Sequence, residues 1–161
     1  MSKYITVISD THGNLYDLDF MRGDFLSSDY IFFLGDGVFD MQKYYYEFEN
    51  KVYMVKGNCD GFIGLSTELI LEIDGVKILI THGHNFGVKE SRQRLAEFAK
   101  RKGCNLCLYG HTHTPLIEEI DGVTLACPGA LSLHNINKNF IQVKLDDGKF
   151  TLKIIPLLKK L

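Results

Sequence analysis

The sequence lacks a long apolar run and a recognisable secretion signal. It contains no stretch of about 18 consecutive apolar residues, the length that can span a bilayer. Its N-terminus, Met1-Ser2-Lys3-Tyr4, leads directly into a strand-like segment and lacks the apolar stretch and small-residue cleavage site of a signal peptide. We therefore expect a cytoplasmic protein with no membrane partner.

The sequence also lacks an excess of charge of one sign. Its 18 lysines and arginines stand against 20 aspartates and glutamates, which gives a net charge of −2. Proteins that bind nucleic-acid polymers normally carry a basic excess, so we expect no such partner. The hydrophobic fraction of 45% and the length of 161 residues are typical of one globular domain, which we expect to span residues 1–161.

Cysteine is scarce, with four residues at positions 59, 104, 107 and 127. Disulfides are rare in cytosolic domains of this size. Cys104 and Cys107 have the spacing of half a zinc or redox site, but no second pair follows them. Since both lie in or beside an apolar segment, we interpret them as residues of a strand or the core.

Short apolar segments alternate with segments of helical periodicity. Runs rich in Ile, Val, Leu and aromatic residues predict strands covered on both faces at 4–8, 30–34, 52–55, 76–81 and 106–109. Apolar residues at helical spacing predict helices over 14–26, 38–48 and 88–102. Three Asp-Gly pairs, which tolerate the positive φ of tight turns, predict hairpins at 74–75, 121–122 and 147–148. The pattern indicates an α/β fold.

Five polar motifs begin where a predicted strand ends, and the carboxyl ends of strands line the ligand crevice of open α/β sheets. Any one motif is weak evidence, because a single strand-end histidine is commonly structural. Together they contain five of the six histidines, beside glycines that allow an ion or phosphate to approach closely. The combination indicates a metal site. The motifs are Ser9-Asp10-Thr11-His12-Gly13-Asn14, Gly35-Asp36, Gly57-Asn58-Cys59-Asp60, Thr81-His82-Gly83-His84 and Gly110-His111-Thr112-His113.

The order of these motifs resembles that of the calcineurin-like metallophosphoesterases, and the length resembles the small prokaryotic YfcE-type phosphodiesterases. The resemblance extends from Asp10 to the segment Cys127-Pro128-Gly129-Ala130. It implies a β-sandwich of two mixed sheets flanked by helices, a four-layer α-β-β-α fold. It also implies a metal-dependent hydrolase of small phosphate esters, with a phosphodiesterase favoured.

The resemblance further assigns a centre of two divalent ions. Carboxylate, imidazole and amide oxygen suit Mn²⁺, Fe, Ni²⁺ or Zn²⁺, of which we expect Mn²⁺. With two aspartates and one hydroxide, the centre carries a charge of about +1, which favours an anionic phosphoryl substrate. We expect His111 and His113, two residues apart in an extended segment, to point the same way. The implied ligands are Asp10, His12 and His113 for the first ion, Asn58, His82 and His111 for the second, and Asp36 as the bridge.

The implied mechanism is hydrolysis by a hydroxide that both ions activate. Asp36 and Asn58 hold the ions, and His84 contacts the phosphate or supports the ligands, although an exposed loop histidine explains it equally well. Cys59 stands where many relatives carry a histidine that can protonate the leaving group. A thiol is a poor acid at neutral pH, so aryl phosphodiesters, which have good leaving groups, should be the better substrates.

Two alternatives stay open at this point. A retromer subunit of the same fold acts as a non-catalytic protein-interaction scaffold, but a scaffold is free to lose ligands and this sequence retains all seven. A phosphomonoesterase would use the same centre. A homo-oligomer also fits, because the aromatic residues of segment 44–48 could form an interface, although we interpret them as the buried side of a helix.

Overall fold

The computed structural model describes residues 1–61 and 63–158, which form ten strands and four α-helices. The strands are β1 (Lys3–Ile8), β2 (Tyr30–Phe33), β3 (Val52–Met54), β4 (Glu68–Ile73), β5 (Val76–Thr81), β6 (Leu106–Tyr109), β7 (Leu116–Ile120), β8 (Val123–Cys127), β9 (Asn139–Asp146) and β10 (Lys149–Pro156). The helices are α1 (Leu15–Phe20), α2 (Arg22–Ser27), α3 (Gln42–Glu47) and α4 (Gln93–Arg101), with 3₁₀ turns at Val38–Met41 and His84–Phe86.

The strands form two five-stranded sheets, in the orders β10-β9-β1-β2-β3 and β4-β5-β6-β8-β7. In the first sheet, β1, β2 and β3 run parallel, whereas β9 is antiparallel to both β1 and β10. In the second, β5, β6 and β8 run parallel, and β4 and β7 are antiparallel edge strands. Both sheets are therefore mixed, as expected.

Successive side chains of the central strands point to opposite faces of their sheet, so they belong to different layers of the fold. Ile5 and Val7 of β1 belong to the core between the two sheets, where Ile78 of β5 also lies. Ile8 at the end of β1 packs instead with Leu18 of α1 in a cluster outside the first sheet. Helix α4 covers the outer face of the second sheet in the same way. The predicted four-layer α-β-β-α sandwich is confirmed.

The predicted strands and hairpins are present, each strand within one residue of its predicted bounds. The three Asp-Gly pairs join β4 to β5, β7 to β8 and β9 to β10. Both residues of each pair have positive φ, for example 51° at Asp121 and 83° at Gly122. That geometry matches the twist of the paired strands, which is why these pairs predict hairpins.

The predicted helices are shorter and more broken than expected. Segment 14–26 divides at Met21 into α1 and α2, beside Gly23, whose helix propensity is low. Segment 38–48 begins as a 3₁₀ turn before α3. Segment 88–102 becomes helical only at Gln93, whose N–H donates to the Ser91 hydroxyl two residues earlier instead of to a helical carbonyl.

The aromatic segment after the second strand divides between core and surface. Tyr44 and Phe48 are buried, as predicted, but Tyr45 and Tyr46 are 46% and 70% exposed. The interpretation of these two tyrosines as buried is wrong, because one face of a short surface helix must meet solvent. Cys104 and Cys107 are buried, as predicted. In the described part of the chain, no helix is both long and apolar enough to cross a membrane.

Candidate metal centre

The polar motifs meet at the edge of the sandwich where β1, β2, β5 and β6 end. Asp10 follows β1 and Asp36 follows β2, while His82 follows β5 and His111 follows β6. His82 Nε2 lies 3.2 Å from Asp36 Oδ2 and 3.9 Å from Asp10 Oδ1, so the contacts cross from one sheet to the other. Residues about 100 positions apart, such as Asp10 and His111, are joined by a hydrogen bond. The predicted convergence is present.

Asp10 forms the centre of the first group of side chains. It is fully buried, and its Oδ2 accepts hydrogen bonds from the Ser9 hydroxyl and from the His111 N–H. Its Oδ1 lies 3.2 Å from His113 Nε2 and 3.5 Å from His12 Nε2. The ligand atoms of Asp10, His12 and His113 all lie within 4.8 Å of one another, close enough to hold one ion.

The second group combines Asp36, His82 and His111, whose ligand atoms also lie within 4.8 Å of one another. His82 Nε2 is 3.2 Å from His111 Nδ1. His82 Nδ1 lies 2.7 Å from the Leu34 carbonyl oxygen, which can only accept, so this nitrogen carries the proton. Nε2 of His82 is then free to bind a metal ion, the usual arrangement for a ligating histidine.

Asp36 lies between the two groups. Its Oδ2 faces His82 at 3.2 Å and His12 at 3.8 Å, and its Oδ1 accepts the Cys59 N–H at 2.8 Å. The Cys59 thiol joins His12 and Asp36 in a third cluster that the sequence did not predict. Asn58 is exposed and its amide nitrogen lies 3.5 Å from Cys59 Sγ. The structure therefore groups six of the seven predicted ligands and places Asn58 beside them in the chain.

A metal ion fits this arrangement because of one buried oxygen atom. Among the described residues, Asp10 Oδ1 has no hydrogen-bond partner, and a buried carboxylate oxygen left in that state is costly. Three imidazole Nε2 atoms surround it, from His113, His12 and His82. A divalent cation would satisfy the oxygen and the nitrogens together, so the donor set fits the expected metal.

Burial and neighbouring side chains both shift the pKa values of residues in the centre. Burial would raise the pKa of Asp10, but the imidazoles of His113 and His12 outweigh burial and hold that pKa below its ordinary value. Burial lowers the pKa of His111, and the neighbouring His82 lowers it further. A neutral imidazole is the form that binds metal, so His111 is held in the competent state.

Five of the predicted ligands have a left-handed backbone conformation, which L-residues rarely adopt. Only four other described non-glycine residues share it: the three hairpin aspartates and Asn50. His111 and His113 therefore do not lie in an extended segment, and the expectation that they point the same way for that reason is wrong. Strain of this kind persists where the surroundings fix the conformation, and it concentrates at functional sites. The φ values are 55° at Asp10, 44° at His12, 61° at Asp36, 73° at His111 and 63° at His113.

Two glycines allow the motifs to approach one another. A Cβ atom at Gly57 would overlap the carboxylate of Asp36, and one at Gly110 would overlap Ser9 and Asp10. The glycines beside the ligands are therefore required by close packing and not only by turn geometry.

Asp60 supports the centre in a way that sequence reasoning missed. This buried carboxylate accepts the N–H groups of Asp36 at 2.8 Å, Gly37 at 2.9 Å, Val38 at 3.0 Å and Gly57 at 2.7 Å. It thereby joins the loop after β2 to the loop after β3. Its place in the Gly57–Asp60 motif was the one signal in the sequence that could have revealed this role.

His84 lies beside the centre rather than in solvent. Its ring centroid is 5.3 Å from that of His82, and its buried Nδ1 has no hydrogen-bond partner among the described residues. Burial lowers the pKa of His84, and His82 lowers it further. Cys59, by contrast, is exposed, and partial burial and the charge of Asp36 raise the pKa of its thiol. His84 can therefore donate or accept a hydrogen bond at neutral pH, whereas Cys59 is a weak acid.

The family model of the calcineurin-like phosphoesterase superfamily domain matches residues 4–148. The chain belongs to this superfamily. A probable metallophosphoesterase of Methanocaldococcus jannaschii is 33% identical over 163 residues, which cover 95% of this chain and 81% of the relative. The metallophosphoesterase family assignment of the motifs is thus confirmed.

Solved structures show the same superfamily fold. A predicted phosphoesterase from Streptococcus pneumoniae has a TM-score of 0.83 at 27% identity and covers 98% of this chain and 91% of its own. A novel archaeal phosphodiesterase has a TM-score of 0.75 at 23% identity, over 94% and 99% of the two chains. Vps29 of Entamoeba histolytica, complexed with Zn²⁺, has a TM-score of 0.74 at 19% identity, over 96% and 99%. The last two likenesses show the fold alone.

Proposed function

We propose that this metallophosphoesterase is a metal-dependent phosphodiesterase with two divalent ions, of which Mn²⁺ is favoured. The observation that carries the proposal is the buried Asp10 Oδ1, which has three imidazole nitrogens around it and no hydrogen-bond partner among the described residues. A second group on the other side of Asp36 offers a second position. When bound, two ions at such a centre supply a water of lowered pKa and neutralise charge on the phosphoryl oxygens.

These groups support the following ligand roles. Asp36 faces both groups and bridges them, and the Leu34 carbonyl fixes the His82 tautomer that leaves Nε2 available. Asn58 supplies an amide oxygen from the loop that the Cys59 N–H ties to Asp36. Asp10, His12 and His113 hold the first ion, and Asn58, His82 and His111 hold the second.

His84 acts on the substrate in this proposal. Its Nδ1 is buried without a partner among the described residues and lies on the side of His82. Because its pKa is lowered by burial, the ring is neutral at pH 7 and can donate one N–H to a phosphoryl oxygen without adding charge. His84 therefore orients the phosphate beside the centre.

The preference for diesters rests on Cys59. The thiol lies within 4.8 Å of His12 and Asp36 ligand atoms, where it would face a departing oxygen, but its raised pKa makes it a poor proton donor. General acid catalysis normally contributes about 10²–10⁴-fold. Without it, the hydrolysis rate of aryl diesters falls least, because their leaving group departs as a stabilised phenolate.

The non-catalytic scaffold is the second candidate, since Vps29 shares this fold. A scaffold needs no dense group of ligands with a strained backbone, whereas this chain keeps both groups intact. A phosphomonoesterase differs only in substrate. The cytoplasmic location and the homo-oligomer stay predictions.

A substrate panel tests the proposal. Protein freed of metal with a chelator and reloaded with Mn²⁺ is assayed on bis(4-nitrophenyl) phosphate and on 4-nitrophenyl phosphate. The expected result is a higher kcat/KM for the diester, abolished by the chelator. Faster monoester cleavage would favour the phosphomonoesterase, and no metal-dependent cleavage of either would favour the scaffold.

A further inference from the structure

A groove lined by aromatic side chains runs along the edge strand β3. It consists of two adjoining cavities of about 450 and 260 Å³ that share Tyr45, Tyr46, Met54 and Leu65. Helix α3 supplies the tyrosines, β3 supplies Met54 and the loop before β4 supplies Leu65. We call it the tyrosine groove. Its volume is in the range of small-molecule sites.

The smaller cavity places one end of the tyrosine groove next to the metal centre. Val38 and Phe39 line this end, and Val38 follows the bridging Asp36 by two residues. Two Cα–Cα steps span at most about 7.6 Å, so Val38 lies that close to Asp36. The Val38 N–H also donates a hydrogen bond to Asp60, which holds the loop of Asn58 and Cys59 against Val38. One end of the groove therefore lies close to the loop that carries Asp36 and to the loop that carries Asn58 and Cys59.

The chemistry of the groove suits a flat, uncharged ring. Phe39 is 72% exposed and Tyr46 is 70% exposed, so each presents most of a large aromatic side chain to solvent in the groove, with the Tyr46 ring set edge-on to that of Tyr45. Among the described residues that line it, only Glu49 is charged, so the groove offers nothing to a phosphate. Aromatic faces bind rings by stacking, and the amides of Gln42 and Asn50 can bond polar edges of a ring.

We propose that the tyrosine groove binds a flat aromatic substituent of the substrate, with the phosphodiester group at the metal centre. Phe39 and Tyr46 supply the stacking surfaces. The proposal rests on the proposed function for the placement of the phosphate, but the binding of the ring itself does not depend on catalysis.

Three diesters with one leaving group test the proposal. They are methyl, phenyl and thymidine-5′ 4-nitrophenyl phosphate, assayed with the Mn²⁺-loaded protein. Wild type should show a higher kcat/KM for the phenyl and thymidine diesters, in which the retained substituent carries a ring, than for the methyl diester, in which the only ring is the 4-nitrophenyl leaving group common to all three. Phe39→Ala and Tyr46→Ala should each lower the aromatic-to-methyl ratio about five-fold or more, the size expected for a lost stacking contact. Phe20→Ala, which removes an exposed ring from α1 outside the groove, is the matched control and should leave the ratio unchanged.

The outcomes separate this proposal from its alternatives. If the groove variants lower kcat/KM equally for the phenyl and thymidine diesters, the groove accepts any flat ring. A larger loss for the thymidine diester indicates that the groove prefers a nucleoside. A ratio that neither groove variant changes overturns the proposal. So does a wild-type dimer that Tyr46→Ala dissociates without changing the ratio, since a second copy would then occupy the groove.

A second measurement keeps the test independent of turnover. Thymidine, which has no phosphate, is added to chelator-treated protein and its binding is followed by saturation-transfer NMR. Binding to wild type and to Phe20→Ala, but not to Tyr46→Ala, supports the groove even if no diester is cleaved, in which case only the proposed function fails. The proposal that the groove binds a ring is overturned if wild type does not bind thymidine and the groove variants leave the aromatic-to-methyl ratio of kcat/KM unchanged. It is also overturned if wild type neither binds thymidine nor cleaves any of the diesters.

Discussion

Asp36 faces imidazoles of both side-chain groups, with His82 at 3.2 Å and His12 at 3.8 Å. A neutral amide at this position keeps the shape of the side chain but removes the charge that two cations would share. Asp36→Asn should therefore lose at least one of two ions and lower turnover about 100-fold or more. Elemental analysis and diester assays measure the two effects.

The matched control for that variant is Asp29→Asn, which removes the same charge at a carboxylate that accepts the Tyr4 N–H from β1. It should keep both ions and full turnover. Two tightly bound ions in Asp36→Asn would refute the assignment of Asp36 as the bridge.

His111 and His113 point to different groups although they are two residues apart. His113 Nε2 lies 3.2 Å from Asp10 Oδ1, whereas His111 Nδ1 lies 3.2 Å from His82 Nε2. His113→Ala should weaken the ion held with Asp10 and His12, and His111→Ala should weaken the other. Crystallographic occupancy with anomalous scattering from Mn²⁺ measures this, and loss of the same ion from both variants would show that the partition is wrong.

Cys59 sets the dependence on the leaving group. Because the thiol cannot readily protonate a departing oxygen, the rate should fall steeply as the pKa of the leaving phenol rises. Cys59→His should raise the rate on poor leaving groups by about 10-fold or more and change activated substrates little. A series of aryl methyl phosphates gives the slope, Cys59→Ala serves as the control without an acid, and an equally flat slope in all three proteins would contradict the role given to Cys59.

The loop that joins β3 to β4 lies close to the loop after β2 at Gly57. A methyl group at Gly57 would overlap the Asp36 carboxylate, so Gly57→Ala should lower both stability and metal content. Gly122→Ala is the control, since Gly122 has φ +83° in a distant hairpin with open space around it. It should cost about 1–2 kcal/mol of unfolding free energy but keep both ions. Urea unfolding and elemental analysis test the pair, and equal metal content in both variants would contradict the close approach at Gly57.

Elements with strong local signals could be predicted from the sequence. Strands β1, β2, β5 and β6 are apolar on both faces because the other sheet covers one side and helices cover the other, and the Asp-Gly pairs accept the positive φ of hairpins. Helices α1, α2 and α3 have six residues each, too short to be stable alone, so tertiary packing decides their ends and periodicity could not.

The sequence predicted which polar side chains meet at the candidate site but not the residues that support them. Strand-end motifs carry the ligand types, and the resemblance assigned them. The four N–H bonds to Asp60 join two separate loops, and Asp40 accepts the Thr11 hydroxyl and the Gly13 N–H from a third. Such contacts depend on how loops meet in space, which spacing along the chain does not encode.

At the scale of the whole molecule, the sandwich brings two sheets to one edge. The first sheet contributes Asp10, His12 and Asp36, and the second contributes His82, His111 and His113. Neither of the two proposed ion positions is supplied by one sheet alone, because Asp10 lies against His113 and Asp36 lies against His82. Metal binding should therefore depend on the packing of both sheets.

The most direct test is the rate of bis(4-nitrophenyl) phosphate hydrolysis by chelator-treated protein as Mn²⁺ is added in known equivalents per chain. A centre of two ions shared through Asp36 predicts that the rate rises until about two equivalents and then levels off. A rate that levels off at one equivalent, or that is already present without metal, would contradict the account.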